Sequence, residues 1–146
     1  MNDIEKTGFT WMLLYWKIQV FKRPKWNTEV VVNTWPRKFN KISTWRDFEM
    51  LDKDGNIIAI ASSEWVLIDA NSGKLAKITE ELVNKYGMVQ KAAFSDEPSG
   101  KLKEPDNMKM AYKYTATKRD IDTNNHVNNE VYLDLCSDAF PERNEP

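Results

Sequence analysis

Cysteine and histidine are each used once in 146 residues, as Cys136 and His126. One thiol cannot close an internal disulfide, and one of each cannot furnish a clustered zinc site. No apolar run approaches the ~20 residues a membrane helix needs. The opening residues, Met1-Asn2-Asp3-Ile4-Glu5-Lys6, lack the apolar core of a signal peptide. A formal net charge of −1 supplies no broad field that would gather nucleic acid or an anionic membrane. These absences leave a cytoplasmic, metal-free globular protein as the expectation. What is present agrees: 41% apolar residues and six tryptophans suit a buried core, and the length suits one domain.

Taken in order, residues 3–7 read as the end of a helix stopped by Gly8. From Phe9 to Phe21 the chain alternates, and Met12, Leu14, Trp16, Ile18 and Val20 are expected on one face of a long strand. The turn Lys22-Arg23-Pro24-Lys25 ends it. Glu29 to Trp35 is a short β-branched strand that Pro36 is expected to close. Ile42 to Leu51 and Ile57 to Asp69 are joined by a hairpin turn at Asp54-Gly55, and Asn71-Ser72-Gly73 follows. Thr79 is placed to cap a short helix running to Tyr86, with Glu80 and Glu81 at its positive end. Residues 87–107, rich in Gly, Pro and charge, read as a linker. A strand is expected from Met108 to Lys118. After it comes a helix beginning near His126, with Val127, Val131, Leu135 and Ala139 as its apolar ridge.

The polar stretch before that helix carries the chemistry. In an extended segment Asp122, Asn124 and His126 would project to the same side. Histidine is the side chain whose ordinary titration lies nearest neutrality, which suits a general base. Such a base, a carboxamide and the N–H groups of a helix start could together hydrolyse an acyl bond, the N–H groups serving as an oxyanion site. The bland alternative is a turn in which Asp and Asn bond their own backbone. Asn128 and Asn129 are poor helix formers and are expected to bond the loop. Cys136 lies ten residues beyond His126, roughly 15 Å along a helix, so it cannot touch the ring. A buried structural thiol is expected there.

Asp120-Ile121-Asp122-Thr123-Asn124-Asn125-His126-Val127-Asn128-Asn129, followed by Tyr132-Leu133-Asp134, resembles the hallmark of acyl-acyl-carrier-protein thioesterases. Gly8-Phe9-Thr10-Trp11-Met12-Leu13, Pro24-Lys25-Trp26, Thr34-Trp35-Pro36, Arg46-Asp47-Phe48 and Trp65-Val66-Leu67-Ile68-Asp69 occur in that family's order. The resemblance implies an α+β, hot-dog-like antiparallel sheet with a covering helix. Relative to the tandem hot-dog domains of the family, it implies truncation at both ends. Residues 1–86 would be a partial first domain and 108–146 the start of a second. Either the two halves complete one domain with permuted strand order, or the gene is cut short.

The resemblance further implies hydrolysis of fatty acyl thioesters on acyl carrier protein, without metal or organic cofactor. His126, Asn124 and Asp122 would be catalytic, and Trp11, Trp16, Trp45 and Trp65 would line an acyl pocket. A further acidic or cysteine residue of the family would fall beyond Pro146. Glu64, Asp47 and Glu49 are the candidates to replace it, and nothing selects among them. Basic turns at Lys22-Arg23-Pro24-Lys25 and Arg37-Lys38 would meet the acidic carrier, and a single domain's worth of elements implies a homodimer. Nucleic acid and membrane are not expected partners. Two alternatives remain open: an acyl-coenzyme A thioesterase of the same fold, and a non-catalytic acyl-binding or interaction protein.

Overall fold

A computed structural model describes residues 7–96, 103–123 and 125–140. The chain divides into two compact units, Met1–Leu102 and Lys103–Pro146. In the first, strands β1 (Phe9–Val20), β2 (Val31–Phe39), β3 (Ser43–Leu51) and β4 (Ile57–Asp69) form an antiparallel sheet in the order β1-β4-β3-β2. Turn chemistry fixes the hairpins. Asp52 accepts from the N–H groups of Asp54 and Asn56, and Gly55 takes φ 81, which a side chain would resist. After β4, Asp69 accepts from the N–H groups of Asn71 and Ser72. Helix α1 (Glu80–Tyr86) is capped by the Thr79 hydroxyl, which accepts from Leu82 N–H.

Two features of the sheet depart from the simple alternation. Between Leu13 and Tyr15 the β1–β4 register slips: Leu13 faces Trp65 and Tyr15 faces Glu64. A bulge of one residue moves every later side chain to the other side. Met12 therefore lies on the face opposite Trp16, Ile18 and Val20, which share theirs with Trp11 and Leu13. That second face is covered along β4, where Ala61, Ser63 and Leu67 are buried, but Trp16, Ile18 and Val20 on β1 stay 43%, 49% and 54% exposed. Nor does Pro36 close β2. The strand runs on to Phe39, with a register slip between Pro36 and Lys38 that absorbs the missing N–H donor.

More of the buried side chains lie on the other face of β2, β3 and β4, among them Trp35, Trp45, Asp47, Ser62 and Val66. Residues 88–96 cross that face without helix or strand. Trp35 Nε1 donates to Lys91 C=O at 2.7 Å, and Ala93 N–H to Asp47 Oδ2 at 2.8 Å. Lys17 pairs with Asp96 at 2.8 Å and stands over the Phe94 ring.

In the second unit the strand expected over Met108–Lys118 does not form. Its alternating residues stay exposed, and among the described residues no ladder partner lies beside them. A lone strand leaves its backbone groups unpaired by protein. A single 3-10 turn, Lys118–Asp120, is followed by helix α2 (Asn129–Ala139). The helix starts three residues later than expected, because Asn128, and not a residue near His126, supplies the cap by accepting from Glu130 N–H. No residue of α2 is buried, and Cys136 is exposed, contrary to the buried thiol expected. No helix among the described residues is long and apolar enough to cross a membrane.

Candidate functional site

His126 sits in a closed turn and not in an extended segment. Ile121 and Val127 form an isolated antiparallel bridge. Inside it, Asp122 N–H donates to His126 C=O at 2.8 Å, and Asn125 N–H to Asp122 C=O at 3.1 Å. Asn125 takes φ 64, a left-handed conformation that asparagine tolerates better than most residues. The Asp122 carboxylate accepts from His126 N–H at 3.2 Å. The alternate spacing thus does not place Asp122 and His126 side by side on one face of a strand; it folds the carboxylate onto the histidine's own backbone. His126 itself is exposed. Asn124 lies outside the described residues.

Two of the N–H groups expected to form an oxyanion site are engaged within the chain. Asn128 N–H donates to Asp120 C=O at 2.7 Å, and Glu130 N–H to the Asn128 side chain. Beneath the turn lies Asp120, 5% exposed. Its Oδ2 accepts from Tyr114 Oη at 2.8 Å, Thr117 N–H at 2.6 Å and Thr117 Oγ1 at 2.8 Å. The Thr117 N–H bond, then those from Tyr114 and the Thr117 hydroxyl, hold its carboxyl below the usual range. Asp120 was not among the expected functional residues. Its signal was present, since Thr117-Lys118-Arg119-Asp120 has the Ser/Thr-x-x-acid spacing of a capping box.

In the first unit, Trp11, Pro36, Phe39, Trp65 and Tyr86, with Thr44 and Arg46, line an open groove of about 210 Å³. Strand register puts its sheet residues on one face, and α1 contributes Tyr86, whose ring meets Trp11 edge-on at 6.4 Å. Of the four tryptophans expected at an acyl pocket, Trp11 and Trp65 meet here. Trp16 stacks on Phe48 at 5.5 Å further along the same face. Trp45 lies on the opposite face, between Tyr15 and Arg37.

Two of the three candidate carboxylates on the sheet are otherwise occupied. Asp47, 1% exposed, accepts from Ser62 Oγ at 2.6 Å and pairs with Arg37 Nε at 3.1 Å. Glu49 binds Asn33 and Lys91, which hold its carboxyl below the usual range, Lys91 first. Glu64 sits opposite Trp45 and Tyr15. Arg37 and Lys38 lie within β2, not in a basic turn, and the Arg37 side chain is only 14% exposed. Lys22 reaches Asp52 at 3.7 Å, while Arg23, Lys25 and the 98% exposed Trp26 face solvent. Among the described residues no cluster of His, Cys, Asp or Glu is arranged to hold a metal ion.

Comparison with known proteins covers both units. The family profile for the acyl-ACP thioesterase N-terminal domain matches residues 1–86, and that for the acyl-ACP thioesterase C-terminal domain matches residues 103–145. Oleoyl-acyl carrier protein thioesterase 2, chloroplastic, of Arabidopsis thaliana is 26% identical over 95% of this chain and 41% of its own length. The structure of 12:0-ACP thioesterase from Umbellularia californica superposes with a TM-score of 0.79 at 25% identity, covering 96% of this chain and 56% of that one. An acyl-ACP thioesterase from Bacteroides thetaiotaomicron gives 0.72 at 29%, covering 94% and 55%. The chain thus spans about two fifths of that curated relative and just over half of these solved chains.

Proposed function

The chain belongs to the acyl-ACP thioesterase family, with its hot-dog fold, and from that premise we propose that it acts on fatty acyl thioesters of acyl carrier protein, releasing free fatty acid. The observation that carries the reading is the His126 turn: the protein's single imidazole stands exposed on a loop whose backbone is bonded closed from within. In the proposed reaction the imidazole takes a proton from water as the oxygen attacks the thioester carbonyl. The C–S bond then breaks, and the imidazolium returns the proton to the leaving thiolate. Asp122 holds the histidine backbone, and the Asn124 amide orients water or the carbonyl oxygen. The apolar groove of the first unit, with Trp11 and Trp65, supports an acyl-binding role there. The exposed basic turn at Arg23 and Lys25 suits an acidic carrier, and pairing of two copies belongs to the same proposal.

The test is release of free acid from acyl carrier protein and from acyl-coenzyme A by the parent chain and by His126→Ala. Loss of a general base lowers the rate roughly 10²–10⁴-fold. Equal rates would sink the reading, and preference for the coenzyme A ester would change the carrier. One observation favours a second reading, acyl binding without turnover: the N–H groups of Asn128 and Glu130 are already bonded within the chain. Binding of acyl groups with no hydrolysis would select it.

A further inference from the structure

We infer that Asp120 is the positioning residue for His126, the point at which three separate pieces of chain are tied to the turn that displays the imidazole. The inference deepens the proposed hydrolysis and rests on it for its kinetic part.

The argument is one of connectivity. A single carboxylate oxygen, Oδ2, receives the Tyr114 hydroxyl, the Thr117 N–H and the Thr117 hydroxyl. The carbonyl of the same residue receives Asn128 N–H at 2.7 Å. Asn128 is the N-cap of α2. Asp120 therefore joins the irregular segment at Tyr114, the 3-10 turn and the N-cap of the helix. The His126 turn is strung between the last two of these, closed by the Ile121–Val127 bridge.

The bonds inside the turn fix its shape, and the Asp120 pair holds its two ends, with Tyr112 Oη donating to Leu135 C=O at 2.8 Å as a second tie further along α2. Burial sharpens the point. Asp120 is 5% exposed in a unit whose helix buries nothing. A buried carboxylate is retained only where its lone pairs are satisfied, and here three donors converge on one oxygen. Arg119 approaches the other oxygen only at 3.7 Å and is itself 84% exposed, so the ion pair contributes little. The anchoring is by neutral donors, which suits orientation more than charge neutralisation. Weakening the side-chain part of that anchor leaves the turn's internal bonds and the Asn128 N–H to Asp120 C=O bond intact while loosening the turn from Tyr114 and Thr117.

His126 is the sole histidine, so its ring gives one set of imidazole resonances in a heteronuclear NMR spectrum. The experiment compares the 146-residue parent chain with Asp120→Asn and Tyr114→Phe, recording folded fraction by circular dichroism, ring resonances of the folded species, and acyl thioester hydrolysis. Displaced ring resonances are expected in both variants, further in Asp120→Asn, with kcat down on the order of tenfold to a hundredfold and KM little changed. A merely structural role would lower the folded fraction and leave the ring of the folded species where it was.

Ring resonances of the variants superimposed on those of the parent overturn the assignment. If Asp120→Asn does not fold, Tyr114→Phe, which removes one donor and keeps the carboxylate, decides by the same readout. If the parent hydrolyses nothing, the thioesterase reading falls, while the ring resonances still decide the role of Asp120.

Discussion

Ala93 N–H donates a 2.8 Å hydrogen bond to Asp47 Oδ2 across forty-six residues of sequence. The same carboxylate takes the Ser62 hydroxyl and Arg37 Nε. One buried acid therefore ties β2, β3, β4 and the irregular segment 88–96 together, and Trp35 adds a second tie by donating to Lys91 C=O. That segment has no ladder of its own, and beyond one backbone bond, Val89 N–H to Pro36 C=O at 2.9 Å, these side-chain bonds carry its attachment.

Replacing Asp47 with Ala leaves the mostly buried Arg37 guanidinium without this partner and Ala93 N–H without its acceptor. The expected loss is about 3 kcal/mol of unfolding free energy. Glu49→Ala removes a pair whose Lys91 is 53% exposed, and should cost under about 1 kcal/mol. Urea titration of both variants measures the contrast. Limited proteolysis should show cleavage within 88–96 rising in the first variant only. Similar losses in both would mean that burial of Asp47 is not what makes its bonds matter.

The spans of β1, β3 and β4 were legible because they rest on local chemistry, while β2 runs past Pro36 and the strand expected over Met108–Lys118 does not form. Asp54-Gly55 and Asn71-Ser72-Gly73 mark their turns unambiguously, and β4 ends where it was expected. The face of β1 was not legible. Alternation through Met12, Leu14, Trp16, Ile18 and Val20 is uninterrupted in sequence, and only pairing with β4 reveals the bulge at Leu14 that separates Met12 from Trp16, Ile18 and Val20. The start of α2 was misplaced for a related reason. Asn124, Asn125, Asn128 and Asn129 all offer capping side chains, and tertiary bonds to Asp120 select among them. Asp47 was read as a candidate acid because nothing local couples it to Arg37, Ser62 or Ala93. The His126 motif was legible as a pattern, but its geometry was not: the spacing that would align side chains on a strand folds into a turn instead.

Acid should weaken the second unit through Asp120. Its carboxyl titrates below the usual range when folded because Thr117 and Tyr114 donate to it. Unfolding returns it to the ordinary value near ~4. The folded state therefore binds the proton less readily, and the stabilisation is fully present above that value and lost as pH falls through the lower, folded one. Asp52 and Asp69, lowered by hydrogen bonds in their turns, Asn56 and Ser72 foremost, act in the same sense on the first unit. Unfolding free energy recorded from pH 6 to pH 2.5 should fall in acid, and less steeply in Asp120→Asn. An unchanged slope in the variant would show that Asp120 is not linked to folding.

Asn128 and His126 should separate stability from chemistry. Asn128→Ala removes the acceptor for Glu130 N–H and should cost about 1 kcal/mol of α2 stability, seen as lost helical ellipticity. His126→Ala removes an exposed side chain while leaving the backbone bond to Asp122 in place. Its melting temperature should stay within the error of the parent while hydrolysis falls. A large drop in melting temperature for His126→Ala would instead mark the ring as part of the unit's packing.

The groove makes a claim about binding that needs no turnover. Trp11 and Trp65 form part of its wall, and Tyr86 braces Trp11 from α1. Trp65 is held by its Nε1 donating to Ser63 Oγ at 2.7 Å, so its indole is oriented before any ligand arrives. Trp65→Ala removes both wall and tether. Loss of that apolar contact, worth about 1.5–3 kcal/mol for a buried large side chain, should weaken binding of a saturated fatty acid tenfold or more by calorimetry. Trp65→Phe keeps an apolar ring but loses the tether, and should fall between the two. Trp26→Phe alters a residue that is 98% exposed and outside the groove, and should bind as the parent does. If all three variants bind alike, the fatty chain does not occupy this groove, whatever the His126 turn does.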